Sequence, residues 1–197
     1  IGDIAFASSK LTSLTLPDSL VTIGNGAFSN NSLTSLVIPS AVTTIGSNAF
    51  IYNDLTELTL PNSLVTIGNG AFASNALTDV VIPGAVTTIG SSAFLYNSAL
   101  STVRFEGNAP TISPATSGGS FGSAAGKALY FLPGATGFTT PTWQGYTTYV
   151  QYTVTFDTGV GSVVDPVYVG GGELLPAPAD PTRSGYDFTG WYSDAAA

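Results

Sequence analysis

The stretch LPDSLVTIGNGAF at residues 16–28 returns as LPNSLVTIGNGAF at residues 60–72, 44 positions later. Midway between them, IPSAVTTIGSNAFIYN (38–53) has its own near copy, IPGAVTTIGSSAFLYN (82–97). Alternate units match better than adjacent ones, so a two-unit block has been duplicated. A shorter period lies beneath. The motif I-G-x-x-A-F occurs five times, with Phe6, Phe28, Phe50, Phe72 and Phe94 spaced 22 residues apart. Pro17, Pro39, Pro61 and Pro83 keep the same step, and so do Asn31, Asn53, Asn75 and Asn97. Three ladders with one period and no indel between Phe6 and Asn97 mark a repeat architecture.

Each unit reads as one coil of a solenoid. Leu11, Leu14 and Leu16 form L-x-x-L-x-L, a short strand with its apolar side inward. Pro17 ends that strand, because it cannot donate to a ladder. Val21-Thr22-Ile23 predicts a second extended piece, Gly24 a turn, and Ala27-Phe28 a return to the core. A turn of helix or 3₁₀ structure is expected over Gly26 to Asn30. One coil cannot bury its own Leu and Phe; stacked coils bury them against each other. The Phe ladder is therefore expected to be core and the Asn ladder structural.

Composition narrows the function. The chain has 197 residues, with 12 acids, 4 bases, no Cys, no His and a formal charge of −8. Without Cys and His there is no disulfide framework, thiol nucleophile or Ser-His-Asp triad, and no metal site or cofactor is implied. The acidic balance disfavours nucleic acid, which needs clustered Lys and Arg. No run approaches the roughly 18 apolar residues of a membrane span, so no membrane insertion is expected. Asp3, Asp18, Asp54, Glu57, Asp79 and Glu106 are scattered. A glycosidase needs two carboxyls facing each other in a cleft. No catalytic residues are assigned, and the chain is read as non-enzymatic.

The period breaks after Asn97, where Leu100 sits one residue late. Val103 and Phe105 still read as a strand, Phe121 stands in for a ladder Phe, and Lys127 to Leu132 (KALYFL) reads as one more strand. Terminal repeats must cover an apolar end, so residues 107–150 are the expected C-terminal cap, after a solenoid over 1–106. A different module starts near Gln151 and fills 151–197.

The pattern L-x-x-L-x-I-P-x-x-V-x-x-I-G-x-x-A-F resembles the BspA-type leucine-rich repeat of bacterial surface proteins. The resemblance covers roughly residues 1–106. That family usually carries Cys shortly after A-F, where this chain has Asn31, Asn53, Asn75 and Asn97. Asn is expected to hydrogen-bond the backbone of the neighbouring turn. The endings P-G-A-T-G-F and W-x-G-Y are similar to those of some members. Further on, V-T-F-D, G-G and P-T-R-x-G-Y-x-F-x-G-W-Y resemble the Listeria–Bacteroides repeat, related to the internalin B-repeats. That resemblance implies a small β-grasp-like domain, here incomplete, serving as a spacer. The chain thus reads as a piece of a longer surface or secreted protein.

The candidate ligand face is the outward side of the strand before each Pro. Its residues are Ser13 and Thr15, Ser35 and Val37, Glu57 and Thr59, and Asp79 and Val81. These vary from coil to coil while the inward residues do not, as a binding surface on a fixed scaffold would. Strands about 4.8 Å apart give five coils a span of roughly 25 Å, barely enough for an interface of about 800 Å² per partner. Regular Thr22, Thr44, Thr66 and Thr88 suit an exposed strand and raise a remote ice-binding reading. Arg183, Tyr186, Phe188 and Trp191 are read as the folding residues of a tiny domain, with a sugar platform as the alternative.

The expectation is a mainly β chain: a leucine-rich-repeat solenoid of 22-residue coils, a cap and a β-grasp-like module. The partner is expected to be a host, neighbouring-cell or extracellular-matrix protein or glycan. The competing reading is a structural spacer or stalk.

Overall fold

The computed structural model describes residues 1–113, 119–123, 125–156, 158, 161–164, 167–170, 178–184, 186–188 and 190. Its compact units are residues 1–149 and 150–197. The first is a β-solenoid of 22-residue coils. On one side, β1 (Thr22–Ile23), β3 (Thr44–Ile45), β5 (Thr66–Ile67), β7 (Thr88–Ile89) and β9 (Thr111–Ile112) form a parallel sheet in that order. On the other, β2 (Ser35–Val37) pairs with β4 (Glu57–Thr59) in parallel. β6 (Asp79–Ile82), β8 (Thr102–Phe105) and β10 (Ala128–Phe131) continue as neighbouring parallel strands. β12 (Tyr146–Val154) and then β11 (Thr142–Trp143) follow β10 in that sheet.

The alternation of each strand decides which side chains enter the core. Leu36, Val80, Val103 and Leu129 are buried, as are Ile23, Ile45, Ile67 and Ile89 from the opposite sheet. Between the sheets runs a spine of parallel rings. Phe6, Phe28, Phe50, Phe72, Phe94 and Phe121 stack with centroids 5.2 to 5.6 Å apart. Phe28 through Phe121 are fully buried, whereas Phe6, stacked on one side only, is 44% exposed.

Hydrogen bonds from the Asn ladder lock successive coils. Asn53 Oδ1 accepts from the Leu33 amide at 3.1 Å, and its Nδ2 donates to the carbonyls of Phe28 and Phe50 at 3.0 and 3.2 Å. Asn31, Asn75 and Asn97 repeat the arrangement. One amide side chain thus satisfies backbone groups of neighbouring coils that burial would otherwise leave unpaired. The approach is equally tight at Gly24, Gly46, Gly68 and Gly90 of the I-G pairs. A Cβ added at Gly68 would sit 2.5 Å from the Gly46 carbonyl carbon and the Ser47 nitrogen. Only glycine permits that approach between coils.

The expected helical turn over Gly26 to Asn30 is not formed. Gly26 and Asn30 both have left-handed backbone, φ 59 and 57. The equivalent pairs Asn48 and Tyr52, Gly70 and Ser74, and Ser92 and Tyr96 do the same. Two left-handed residues four positions apart reverse the chain and cannot continue a right-handed helix. Among the described residues there is no helix. Leu11 to Leu16, expected as a strand, lie outside the strands.

After Asn97 the register steps by 23 rather than 22, pairing Thr88 with Thr111 and Asp79 with Thr102. Phe121 lies over Phe94, and Tyr146 meets Phe121 edge-on with centroids 5.8 Å apart. The Tyr146 hydroxyl donates to the Gly122 carbonyl at 2.7 Å and accepts from the Phe121 amide at 3.3 Å. Burial pushes this phenol above its ordinary value of 10.0, against the lowering effect of the Phe121 N–H. Phe131, Phe138 and Trp143 form a further aromatic cluster, with Phe138 centroids 4.6 and 4.9 Å from the other two rings.

In the second unit, Gln151 to Val154 pair antiparallel with β13 (Val167–Gly170). The expected β-grasp arrangement depends on residues 171–177 and 191–197, which lie outside the described residues.

Candidate functional site

The geometry of the candidate face follows from strand alternation. Leu36 and Val80 point inward, so their neighbours point out. All eight candidate positions are exposed: Ser13, Thr15, Ser35, Val37, Glu57, Thr59, Asp79 and Val81. Ser35 pairs with Glu57 and Val37 with Thr59, which aligns the side chains in two rows. Ser13 and Thr15 precede these by one period but belong to no strand.

The rows run further than the repeat period suggests. Asp79 pairs with Thr102 and Val81 with Arg104. Thr102 then pairs with Ala128, and Arg104 with Tyr130. Tyr130 stacks on Tyr149 of β12, with centroids 5.4 Å apart and planes 26° from parallel. One row therefore has two paired stretches, Val37 with Thr59 on β2 and β4, and Val81 with Arg104 and Tyr130 on β6, β8 and β10, where Tyr149 flanks Tyr130. The other likewise has Ser35 with Glu57, then Asp79 with Thr102 and Ala128. Arg104, Tyr130 and Tyr149 do not appear in the sequence-based face. The alternation of Val103 with Phe105 and of Leu129 with Phe131 was the available signal. The irregular spacing after Asn97 hid their register.

Charge is unevenly placed. Glu57 and Asp79 occupy equivalent positions of successive coils, which the Ala76 amide to Leu55 carbonyl bond, 2.9 Å, holds together. Asp79 also accepts from the Thr78 hydroxyl at 3.0 Å. Arg104 lies beside Val81 on one flank and Tyr130 on the other. Arg and Tyr are enriched among residues that dominate protein interfaces, where they cluster in the interior of the patch.

The opposite sheet carries the Thr row. Thr22, Thr44, Thr66 and Thr88 are in register, and Thr111 joins them. The preceding positions alternate between apolar and polar, with Val21 52% and Val65 39% exposed, so this sheet does not present a uniform hydroxyl array.

In the second unit the Arg183 guanidinium lies 3.9 Å over the Tyr186 ring, beside a cleft that Thr158, Pro181 and Phe188 help line. Tyr186 is 65% exposed. Trp191, the fourth member of the considered platform, lies outside the described residues. Among the described residues no group of three or more acidic side chains could hold a metal, and no helix is long and apolar enough to cross a membrane.

Comparison with known proteins agrees with this architecture. Residues 1–117 match the BspA type leucine rich repeat region in six copies. Residues 152–197 match the Listeria-Bacteroides repeat domain. The crystal structure of a leucine-rich repeat protein from Bacteroides ovatus ATCC 8483 is similar, with 28% identity and a TM-score of 0.56. The match covers 66% of this chain and 34% of that one, so the chain spans about a third of that protein's length. A leucine rich cell surface protein from Faecalibacterium prausnitzii A2-165 shows 23% identity over 67% of this chain and 58% of its own, with a TM-score of 0.33. No curated protein matches the chain. With a repeat model matching more than half of its length and a stacked coil for each repeat, the chain belongs to the BspA-type leucine-rich repeat family.

Proposed function

We propose that this chain is a non-enzymatic part of a bacterial cell-surface or secreted protein, and that its outer sheet face binds another protein in adhesion. The carrying observation is the pair of outward rows. They vary from strand to strand above an inward face that does not, and they continue without a gap of register from Asp79 and Val81 to Thr102, Arg104, Ala128 and Tyr130. The continuation relieves the shortage of area that the repeats alone would leave. Glu57 with Asp79 forms an acidic edge, and Arg104 with Tyr130 and Tyr149 an anchor, so the partner presents basic groups beside an apolar or aromatic side chain.

Residues 107–149 act in this reading as both the end cover of the spine and part of the face. The Listeria–Bacteroides module, read as β-grasp-like, serves as a spacer.

The test is surface plasmon resonance of the full chain against immobilised extracellular-matrix proteins and mucins. Saturable binding is expected, and Glu57→Lys with Asp79→Lys should weaken it at least tenfold while leaving thermal unfolding unchanged. Equal binding by the variant would overturn the placement of the face. Absence of binding to every protein would favour the spacer reading.

A further inference from the structure

A third row of side chains lies on the turn that follows each spine phenylalanine. It comprises Ser8, Asn30, Tyr52, Ser74 and Tyr96, all with left-handed backbone at φ 54, 57, 57, 55 and 61. Left-handed backbone suits Asn and Gly far better than a bulky aromatic. Yet Tyr52 and Tyr96 occupy it, with 60% and 73% of their surfaces exposed. They bury little and relieve no strain, so folding gives no reason for tyrosine there. Ser8, Asn30 and Ser74 show that the same turn forms with small polar residues.

The spacing is regular. Tyr52 and Tyr96 sit on alternate coils, and strands about 4.8 Å apart put them roughly 10 Å from each other along the stacking direction. Ser74 lies between them and Asn30 just beyond Tyr52. The row carries no charge, and its polar members are hydroxyls and an amide, with Asn30 Nδ2 already donating to Ser8 Oγ at 2.9 Å. Exposed aromatic side chains alternating with neutral donors and acceptors suit the two sides of a sugar ring. Its C–H face packs on an aromatic ring and its hydroxyl edge seeks neutral hydrogen-bonding partners. In a flat β-linked glycan the same ring face recurs every second sugar, a repeat close to the two-coil step.

We infer that Tyr52 and Tyr96, with Ser74 and Asn30, form a platform for a neutral, linear β-linked glycan lying along the solenoid axis. The site is separate from the sheet face and does not depend on the reading proposed for it. A proline-rich peptide has a similar period, about 9 Å per turn of its left-handed helix. Its receptors, however, hold it in grooves lined by aromatics, whereas these two rings stand on exposed turns.

The experiment uses the full chain and its Tyr52→Asn, Tyr96→Ser double variant, which places at both sites residue types that other coils already carry. Retention on insoluble cellulose and mobility in gels containing soluble β-glucan or xylan are measured, with cello-oligosaccharide as competitor. We expect retention by the native chain, competition by the oligosaccharide, and at least a tenfold loss in the double variant with an unchanged melting curve. Glu57→Lys with Asp79→Lys should leave glycan retention as it was. The inference is overturned if the native chain binds none of these glycans, if the double variant binds equally well, or if a proline-rich peptide competes where cello-oligosaccharide does not.

Discussion

Asn53 reaches back 25 residues to the carbonyl oxygen of Phe28, which its Nδ2 meets at 3.0 Å. That bond, its partner to Phe50 and the bond from the Leu33 amide lie in the buried interior. Asn53→Ala removes all of them at once and leaves the buried Leu33 amide without its acceptor, at a cost of about 1–3 kcal/mol, while the Phe28 and Phe50 carbonyls keep the bonds they accept from Asn31 and Asn75. Urea denaturation should show a loss of about 1–3 kcal/mol on that basis. A loss near zero would mean that water replaces the side chain.

Phe50 has a stacked ring on either side, 5.2 and 5.6 Å away, and no exposed surface. Phe50→Ala opens a cavity that neighbouring coils, themselves pinned, cannot close, at a cost of about 3–5 kcal/mol. The same denaturation measurement applies, and a loss below about 1 kcal/mol would contradict a stacked spine.

Two glycines in similar turns should respond in opposite ways. Gly68→Ala drives a methyl group into the backbone of the preceding coil and should destabilise by about 1–3 kcal/mol or prevent folding. Gly26→Asn should be tolerated within about 1 kcal/mol. A Cβ at Gly26 meets nothing nearer than 3.6 Å, and Asn48 fills the equivalent left-handed position. Thermal melts of the two variants give the comparison directly.

Tyr146 supplies a pH dependence. Burial raises its phenol above 10.0 in the folded chain, so the unfolded chain gives up this proton at lower pH. The associated stability is complete below the unfolded value and is lost as pH rises through the folded one. Stability should therefore fall as pH rises through and above the ordinary phenol value of 10.0, and Tyr146→Phe should flatten that fall. The check is the urea midpoint of both proteins across this range.

Much of the solenoid was legible because its period is carried by side chains with no alternative use. The Phe ladder from Phe6 to Phe94, the Pro ladder from Pro17 to Pro83 and the Asn ladder from Asn31 to Asn97 are together enough to fix the coil length. The outward positions followed from alternation, and Ser35, Val37, Glu57, Thr59, Asp79 and Val81 are exposed on strands as expected. The turn over Gly26 to Asn30 was not legible. Its left-handed positions hold Gly, Asn, Ser, Tyr and Ile in different coils, and these residue types share no signature. The reach of the face to Arg104, Tyr130 and Tyr149 was hidden for another reason. Pairing across an irregular loop is set by three-dimensional packing, here Phe121 settling onto Phe94, and not by spacing.

The asparagine pins have a consequence for how such a chain can change over time. Each Asn accepts from an amide 20 residues earlier and, in every pinned coil, donates to a carbonyl 25 residues earlier. A single inserted or deleted residue inside a pinned coil would break bonds on both sides. Length can then vary only by gain or loss of whole coils, as the 44-residue duplication records. Beyond Asn97, the last of these pins, the step becomes 23 and then 27 residues on the way to Phe121. The solenoid behaves as a ruler whose graduations are copied as blocks, with room for local improvisation only past its final mark.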